Sequence, residues 1–541
     1  MIEKYPRITK IADMLLIGLF CISIFVGSFL LAIIILFALL LIFKHKKNNY
    51  PASSLYLSIF VILSVCCFES IGLLLCFMAV SFLWFEFKNG TIQPFHIVDF
   101  VVLCLFLVEI IVGSFNNQGI YAIAYFWGLF FNVLIYFIIR VSLKEERQEN
   151  MFINILADFV ILMSVLTIFS FYFFNYNIEN KGFPSLVNLK NMFHPMGFLL
   201  NDWATILLLS ISFVLLALVR SRFNTPLFWT LVVGLGLVLM GIVFSFSRGA
   251  YLSVLLGLLV FFGFGFIFRT VPVKSLLIIL IGVVFLITLS VLPVKKDFLT
   301  TIGLSGTTSQ VRSTSGRVEL WKAAFRLIRK NPCTGVGNGQ FSLHANPYLA
   351  SREDATITRR ATNSYLQLLA EKGIIGFIPW AVLVCLLLFT VLKLVRDKSE
   401  KSLSSLLLLV VFMATLFREL SFSTFFEKQQ MQLLFWVLAA WTVNQDKSNM
   451  SSFSSSRLPL LVLLSGSFIV LTGYRVLYKI ATKRNNGFIE KYQEENYNDA
   501  LTLIDKALKI DPDNSILLVN KGFLLQRFSE NVVLLKINLL E

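Results

Sequence analysis

The chain has 541 residues, of which 57% are hydrophobic and only 14% are charged. Its mean hydropathy is +0.79, whereas soluble globular domains carry roughly 25% charged residues. Apolar runs near the length that a bilayer-spanning helix needs recur along most of the chain, which excludes secreted, cytosolic and nucleic-acid-binding globular proteins. The net charge of +16 therefore indicates basic loops that orient membrane helices.

These runs predict an all-α polytopic membrane protein with about 12–15 transmembrane helices. The runs 11–43 and 55–85 are each long enough for two crossings, and the second is predicted to divide near Glu69 and Ser70. The other predicted spans are 98–114, 119–139, 151–174, 198–219, 226–246, 250–268, 275–293, 374–395, 403–424, 430–445 and 457–477.

Lysine and arginine clusters in the connecting segments predict the orientation, because short loops rich in these residues stay in the cytoplasm. The clusters are 44–47, 140–147, 220–222, 269–274 and 396–401. With about eleven crossings before residue 294, a large loop at 294–373 is predicted to be extracytoplasmic. Basic residues outnumber acidic ones in this loop. Because long loops are largely exempt from the positive-inside rule, the excess predicts an anionic ligand at the outer leaflet.

Within the loop, residues 317–330 have helical periodicity, with an apolar stripe and a basic remainder. The stripe consists of Val318, Trp321, Phe325 and Ile328. Such a helix is expected either to lie in the membrane interface or to pack as a surface helix on the membrane domain, and the two interpretations are compatible.

The predicted domains are an N-terminal transmembrane bundle (1–293), the large loop (294–373), C-terminal transmembrane helices (374–478) and a soluble tail (479–541). The tail has the spacing of a tetratricopeptide helix pair. Its matching positions are Ala500, Ile504, Ala507 and Pro512, with Gly522 where a second repeat would place a glycine. Because about one and a half repeats do not form a stable stack, the tail is expected to dock on a partner, such as a regulator of chain length.

Three motifs point to chemistry at the outer side. The first is SFSRGA at 245–250, and the second is SGRVELW with Arg317, followed by PCTGVGNGQF at 332–341. The third is NSYLQLLAEKGIIG at 363–376. The glycine run lacks the GK[ST] of a phosphate-binding P-loop. In this order and spacing the motifs resemble the O-antigen ligase and polymerase superfamily over about residues 190–395, with Asn201 in FLLNDWA as a weaker match.

The resemblance implies a metal-independent membrane glycosyltransferase without a cofactor, in the inner (plasma) membrane and surrounded by its lipids. Its donor would be a glycan on a polyprenyl diphosphate, and its acceptor a glycan or lipid-linked glycan. Arg248 and Arg317 match the family's functional arginines, and a guanidinium suits diphosphate oxygens. The other predicted substrate-binding residues are Arg418, Asn363, Asn201 and Arg326.

The sequence departs from the family pattern at Thr362, where ligases carry a histidine thought to assist deprotonation of the acceptor hydroxyl. Threonine is no base near neutral pH, so His344 in the large loop is the predicted substitute, with His194 as another external histidine. The departure favours the polymerase branch over an O-antigen ligase that attaches glycan to lipid A core or another acceptor. A lipid-linked oligosaccharide flippase is the alternative of another class, although no internal repeat typical of transporters is evident.

Overall fold

The computed structural model describes most of the membrane domain and parts of the tail. The described residues are 52–88, 95–115, 119–179, 200–223, 225–270, 309–348, 361–397, 401–421, 429–446, 483–494 and 496–510, with single residues and short pieces in 272–291, 467–481 and 517–526.

These residues form helices, and no β-strand occurs among them. The helices are α1 (Ala52–Lys88), α2 (Ile97–Phe115), α3 (Gly119–Ser142), α4 (Glu146–Glu179), α5 (Leu200–Arg220), α6 (Pro226–Phe244), α7 (Arg248–Ile267), α8 (Ser309–Lys330), α9 (Phe341–Ala345), α10 (Ser364–Arg396), α11 (Ser402–Arg418), α12 (Gln429–Gln445) and α13 (Tyr497–Leu508). A 3-10 turn, Asn346–Tyr348, follows α9.

The predicted all-α polytopic membrane protein is confirmed. Five helices in the described part of the chain are long and apolar enough to cross a bilayer: Glu146–Tyr172, Leu200–Arg220, Pro226–Phe244, Arg248–Ile267 and Ser364–Arg396. The predicted spans from 98 to 268 and from 374 to 445 each fall on one helix. The predicted spans 11–43 and 457–477 lie outside the described residues, apart from single positions in the latter, as does most of 275–293.

The predicted division of 55–85 into two crossings is wrong, because α1 is one continuous helix of 37 residues. No proline interrupts this segment, and glutamate is a good helix former, so Glu69 and Ser70 do not end the helix. The number of crossings before residue 294 falls by one. The side of the membrane on which 294–373 lies must therefore be argued from the distribution of charge instead.

One end of the bundle gathers basic residues that are paired with acidic ones. Arg140, near the end of α3, donates hydrogen bonds of 3.0 Å to both carboxylate oxygens of Asp99 at the start of α2. Arg220 and Lys393 at the same end also pair with carboxylates, those of Glu149 and Asp446. We call this the paired-charge end, and it adjoins the basic loops 140–147 and 220–222 and the basic residues Arg396 and Lys401.

Residues 309–348 form a small packed unit with the beginning of α10 at the other end of the bundle. The buried face of α8 contacts the loop before α9 and the beginning of α10 through a shared apolar cluster. Its members are Leu320, Ala323, Ala324, Leu327, Val336, Phe341, Ala345, Ala361 and Ala370. Val318 and Phe325 of the predicted stripe are instead 41% and 52% exposed. The helix thus packs on the protein through its small side chains, which allow close approach. This agrees with the interpretation that α8 is a surface helix on the membrane domain.

The described part of the tail is a helical pair made of residues 483–493 and α13. Ala500, Ile504 and Ala507 are fully buried against Phe488 of the first helix. These are the positions that the sequence predicted to face a partner helix, while Pro512 lies outside the described residues. The tetratricopeptide identity of the tail stays a prediction.

Candidate functional site

Three arginines from distant parts of the sequence meet at the end opposite the paired charges, which we call the arginine end. Arg248 is the first residue of α7, Arg317 lies on α8, and Arg418 is the last residue of α11. Burial lowers the pKa of Arg317, and the charge of Arg248 lowers it further. Arg317 also interacts electrostatically with Arg418. Since such effects require proximity, the three guanidinium groups lie around one site.

Arg248 and Arg317 have no acidic partner among the described residues. The charged groups that interact with Arg317 are Arg248 and Arg418, which have the same sign, and the described side chains form no salt bridge or hydrogen bond with the guanidinium of Arg248 or Arg317. Arg248 is exposed while Arg317 is half-buried. Like charges held close together repel each other unless an anion neutralises them. The pair is therefore suited to bind a doubly or multiply charged anion.

Arg418 is different, because the protein itself holds its side chain. It is 1% exposed, its Nε donates to Thr205 Oγ1 at 2.6 Å, and its Nη2 donates to the carbonyl of Asn201 at 2.7 Å. A Cβ on Gly249 would lie 2.7 Å from Arg418 Nη1. The glycine after Arg248 therefore makes room for this guanidinium at the start of α7.

Acidic residues accompany Arg418 on two sides. Asp202 and Glu419 are both buried, and both attract its positive charge. Asn201, the predicted substrate-binding residue, is exposed and contributes its backbone carbonyl to Arg418. The first turn of α5 thus positions Arg418, and the charge of this arginine is balanced within the protein.

The NSY motif at the start of α10 anchors that helix beside Arg418. The side-chain oxygen of Asn363 caps α10 by accepting from the Leu366 N–H at 3.0 Å, and its amide donates to the Leu420 carbonyl at 3.0 Å. Ser364 donates to the Glu419 carboxylate. The motif thereby ties the beginning of α10 to the end of α11. The side-chain oxygen and nitrogen of Asn363 both form hydrogen bonds within the protein, and its role in substrate binding stays a prediction.

The glycine loop, residues 332–341, folds back on α10 through its backbone. The Val336 and Gly337 N–H groups donate to the carbonyls of Ala370 and Glu371 at 2.9 and 2.8 Å. In return, the Ile374 N–H donates to the Pro332 carbonyl at 2.9 Å. These reciprocal bonds lie where α10 has a non-helical residue, Gly373, with φ 62°. We call the interlocked loop and helix the glycine clasp.

Glu371 explains why glycines and a carboxylate occur together in the clasp. Its carboxylate accepts from the Phe341 N–H at 3.2 Å and from the Gln367 side chain at 3.3 Å, and it also interacts with the Gly339 N–H. A Cβ on Gly335 would lie 2.3 Å from the carbonyl carbon of Glu371. The glycine run therefore binds a carboxylate of its own chain, which agrees with its lack of a P-loop signature.

The structure places the remaining predicted residues away from the arginines. Burial and the neighbouring charge of Lys330 lower the pKa of His344. Lys330 lies 13 residues after Arg317 in α8, which corresponds to about 20 Å along the helix axis. Arg326 is exposed and lies over the ring of Tyr348, 5.4 Å from its centroid. His194 lies outside the described residues.

Thr362, at the position where the family's ligases have histidine, has a left-handed backbone conformation with φ 53°. A β-branched residue is unusual there, whereas asparagine, aspartate and histidine are enriched. The Thr362 hydroxyl is buried without a hydrogen-bond partner in the described region. The backbone at this position therefore has a shape that would readily accept histidine, although the chain carries threonine.

Sequence reasoning missed three groups that position the site: Thr205, Gly249 and Glu371. Thr205 is one hydroxyl in an apolar helix, and nothing in its spacing indicates an arginine partner. Gly249 and Glu371 stand inside the motifs that were singled out. The signal for them was therefore present, but their structural roles become visible only in the fold.

Comparison with known proteins agrees with the family resemblance of the sequence motifs. Residues 233–381 match the sequence model of a family described as O-antigen ligase. No curated protein shows significant similarity to the chain. The matched stretch includes Arg248, Arg317 and both halves of the glycine clasp, and the match supports the resemblance to the O-antigen ligase and polymerase superfamily.

Proposed function

We propose that the protein transfers or polymerises glycan from a polyprenyl-diphosphate donor onto a sugar hydroxyl at the outer face of the inner membrane. Its family implies a membrane glycosyltransferase that uses a lipid-linked glycan and an acceptor. The single observation that carries the proposal is the pair Arg248 and Arg317. These two cationic groups share one site and have no acidic partner among the described residues.

A diphosphate linked to a sugar fits this pair chemically. The acceptor hydroxyl attacks the anomeric carbon of the donor, a new C–O bond forms, and the bond from that carbon to the diphosphate oxygen breaks. The hydroxyl proton leaves to a base, and the departing polyprenyl diphosphate gains negative charge. Guanidinium groups bind phosphate oxygens through two parallel N–H donors, and donors already in place stabilise charge that develops in the transition state.

Charge distribution supports an extracytoplasmic site. The basic loops 140–147 and 220–222, together with Arg396 and Lys401, adjoin the paired-charge end, and short loops of this kind are typical of the cytoplasmic side. The arginine end lies at the other end of α5, α10 and α11, since each of these helices connects the two ends. We therefore place the site in the headgroup region of the outer leaflet.

Within the superfamily we favour the polymerase branch, because Thr362 supplies no base where ligases carry histidine. Ligation is the second candidate, since the matched family is described as O-antigen ligase. The two differ in their products. Polymerase activity yields a ladder of lipid-linked glycans with increasing numbers of repeats, whereas ligase activity moves each glycan once onto a different acceptor.

The test is glycan transfer by the purified full chain in liposomes, with the polyprenyl-diphosphate-linked glycan that accumulates in cells lacking the protein. We expect Arg317→Ala to lower the rate by a hundredfold or more, since loss of one such donor costs about 3 kcal/mol. Arg317→Lys should also be strongly impaired, because lysine keeps the charge but lacks the planar fork.

Two controls accompany these variants. Arg329→Ala removes an exposed arginine from the same helix and should leave the rate near that of the wild type. Thr362→Ala should have a mild effect, since threonine is no base. Near-normal turnover of Arg317→Lys combined with loss of activity in Thr362→Ala would contradict the proposed roles.

A further inference from the structure

Trp321 lies one turn beyond Arg317 on α8 and has an unsatisfied polar group. Residues four apart share a helix face, with Cβ atoms about 5–6 Å apart. The indole Nε1 of Trp321 is buried and has no hydrogen-bond partner in the described part of the protein. Buried indole N–H groups usually find a partner, so this one is available to donate to a polar group of a ligand.

Asn338, in the middle of the glycine loop, gives an independent observation. Its side chain is 1% exposed, and neither its Oδ1 nor its Nδ2 has a partner within the described residues. Burial of an amide without hydrogen bonds is unfavourable. In the neighbouring motif, by contrast, the side-chain oxygen and nitrogen of Asn363 both form hydrogen bonds. An asparagine that only supported the fold would be expected to resemble Asn363.

Both side chains border the same packed unit. Trp321 follows Leu320 and precedes Ala324 by one turn, while Asn338 lies between Val336 and Phe341, and all four of these neighbours belong to one apolar cluster. The two unsatisfied groups thus border one packed unit, whose helix α8 also carries Arg317 one turn before Trp321. Together they provide an aromatic ring, an N–H donor, an amide donor and an amide acceptor.

We infer that Trp321 and Asn338 form a subsite for the pyranose attached directly to the donor diphosphate. The inference rests on the proposed function, because the arginine pair locates the diphosphate. A pyranose has an apolar C–H face and adjacent hydroxyls at its rim, which match the ring face and polar edge of a tryptophan and the paired donor and acceptor of an amide. The short distance from Arg317 to Trp321 along α8 selects the first sugar of the donor over the acceptor sugar.

The experiment compares binding of two lipids to the full chain in nanodiscs. One is a synthetic polyprenyl diphosphate without sugar, and the other is the polyprenyl-diphosphate-linked glycan that accumulates in cells lacking the protein. The Kd of the sugar-free lipid divided by the Kd of the glycan-linked lipid gives the contribution of the sugar to binding, and we call this quotient the Kd ratio. We expect Asn338→Leu and Trp321→Leu each to reduce this ratio about tenfold while the Kd of the sugar-free lipid stays unchanged. Trp321→Phe, which keeps an aromatic face, should have a smaller effect.

Thermal stability supplies a readout that a structural role would not reproduce. Asn338→Leu removes unsatisfied groups at nearly constant volume, so its Tm should equal or exceed that of the wild type. Asn363→Leu, the matched control, should lower Tm because it removes two hydrogen bonds. A lower Tm for Asn338→Leu together with an unchanged Kd ratio would overturn the inference, as would an effect confined to the Michaelis constant for the acceptor.

Arg317→Ala separates this inference from the proposed function. It should weaken binding of both lipids by the same factor and leave the Kd ratio at the wild-type value. If it altered neither Kd, the diphosphate site would be wrong and the sugar subsite would fall with it. If it weakened both while the Asn338 and Trp321 variants preserved the ratio, the diphosphate site would stand and the sugar subsite alone would be refuted.

Discussion

Substitution of Gly335 by alanine tests the glycine clasp directly. Gly335 has φ 68°, and an L-residue in this left-handed region costs roughly 1–2 kcal/mol. The added Cβ would lie 2.3 Å from the carbonyl carbon of Glu371 and 2.5 Å from the Lys372 nitrogen. Both are backbone atoms that cannot rotate away, and overpacking of this kind typically costs 1–3 kcal/mol. We therefore expect Gly335→Ala to destabilise the protein by about 2–5 kcal/mol.

Gly263→Ala is the matched control, since Gly263 lies within α7 and an added Cβ would meet no atom within 4 Å. Alanine is favoured over glycine inside a helix by about 1 kcal/mol, so this variant should be neutral or slightly more stable. The measurement is thermal unfolding of the purified full chain in detergent, followed by the near-UV circular dichroism signal of its aromatic residues. A Gly335→Ala protein that unfolded at or above the wild-type temperature would show that the reciprocal backbone bonds of the clasp do not constrain the fold.

Three further predictions concern other parts of the chain. Lys372 forms a buried salt bridge with Glu109, so Glu109→Gln should cost about 3–5 kcal/mol by removing the carboxylate that pairs with a buried ammonium group, and combination with Lys372→Met should recover much of the lost Tm; an equal loss in the double variant would refute this pairing. Deletion of 484–541 should leave the membrane domain folded with some transfer retained, as measured by membrane levels and glycan chain length, and total inactivity at normal levels would contradict an auxiliary tail. Cysteines introduced at Ser342 and Ser515 should react with an impermeant thiol reagent in spheroplasts, whereas labelling only after lysis would overturn the predicted topology.

The membrane helices could be predicted from the sequence because long apolar runs have few alternatives in a bilayer. The exception, α1, shows the limit of this reasoning. A polar pair such as Glu69 and Ser70 lowers local hydropathy without breaking the backbone pattern. Hydropathy therefore predicts a helix boundary at Glu69 and Ser70, whereas the helix propensity of these residues allows the helix to continue.

The packing of the large loop could not be predicted in the same way. In α8 the larger side chains Val318 and Phe325 belong to the predicted apolar stripe, yet Ala323 and Ala324 face the protein. Periodicity identifies an amphipathic helix, but it does not say which face meets protein when small and large apolar residues lie on different sides.

The arginine site was predicted in part through resemblance to a family. Arg248 and Arg317 do lie together, which their separation in sequence does not reveal. The support of Arg418 by Thr205 could not be anticipated, because hydroxyls in apolar helices commonly bond to their own backbone, as Thr415 does in α11. Thr205 also donates to the Asn201 carbonyl of its own helix at 3.2 Å, and sequence does not reveal the second bond that it accepts from Arg418. His344 was proposed from its chemical type and its position in the large loop, and the length of α8 separates it from the arginines.

The contacts that hold Arg418 determine which part of the chain can be excised or transferred to another protein. The stretch 233–381 that matches the family contributes α7 and the glycine clasp, but α7 packs along α11, and Arg418 is held by α5. Lys372, inside the stretch, depends on Glu109 of α2. A fragment cut at the family boundaries would therefore expose unpaired charge and lose most of its neighbours. Grafting of the motif-bearing stretch into a related enzyme would succeed only if the surrounding helices were exchanged with it.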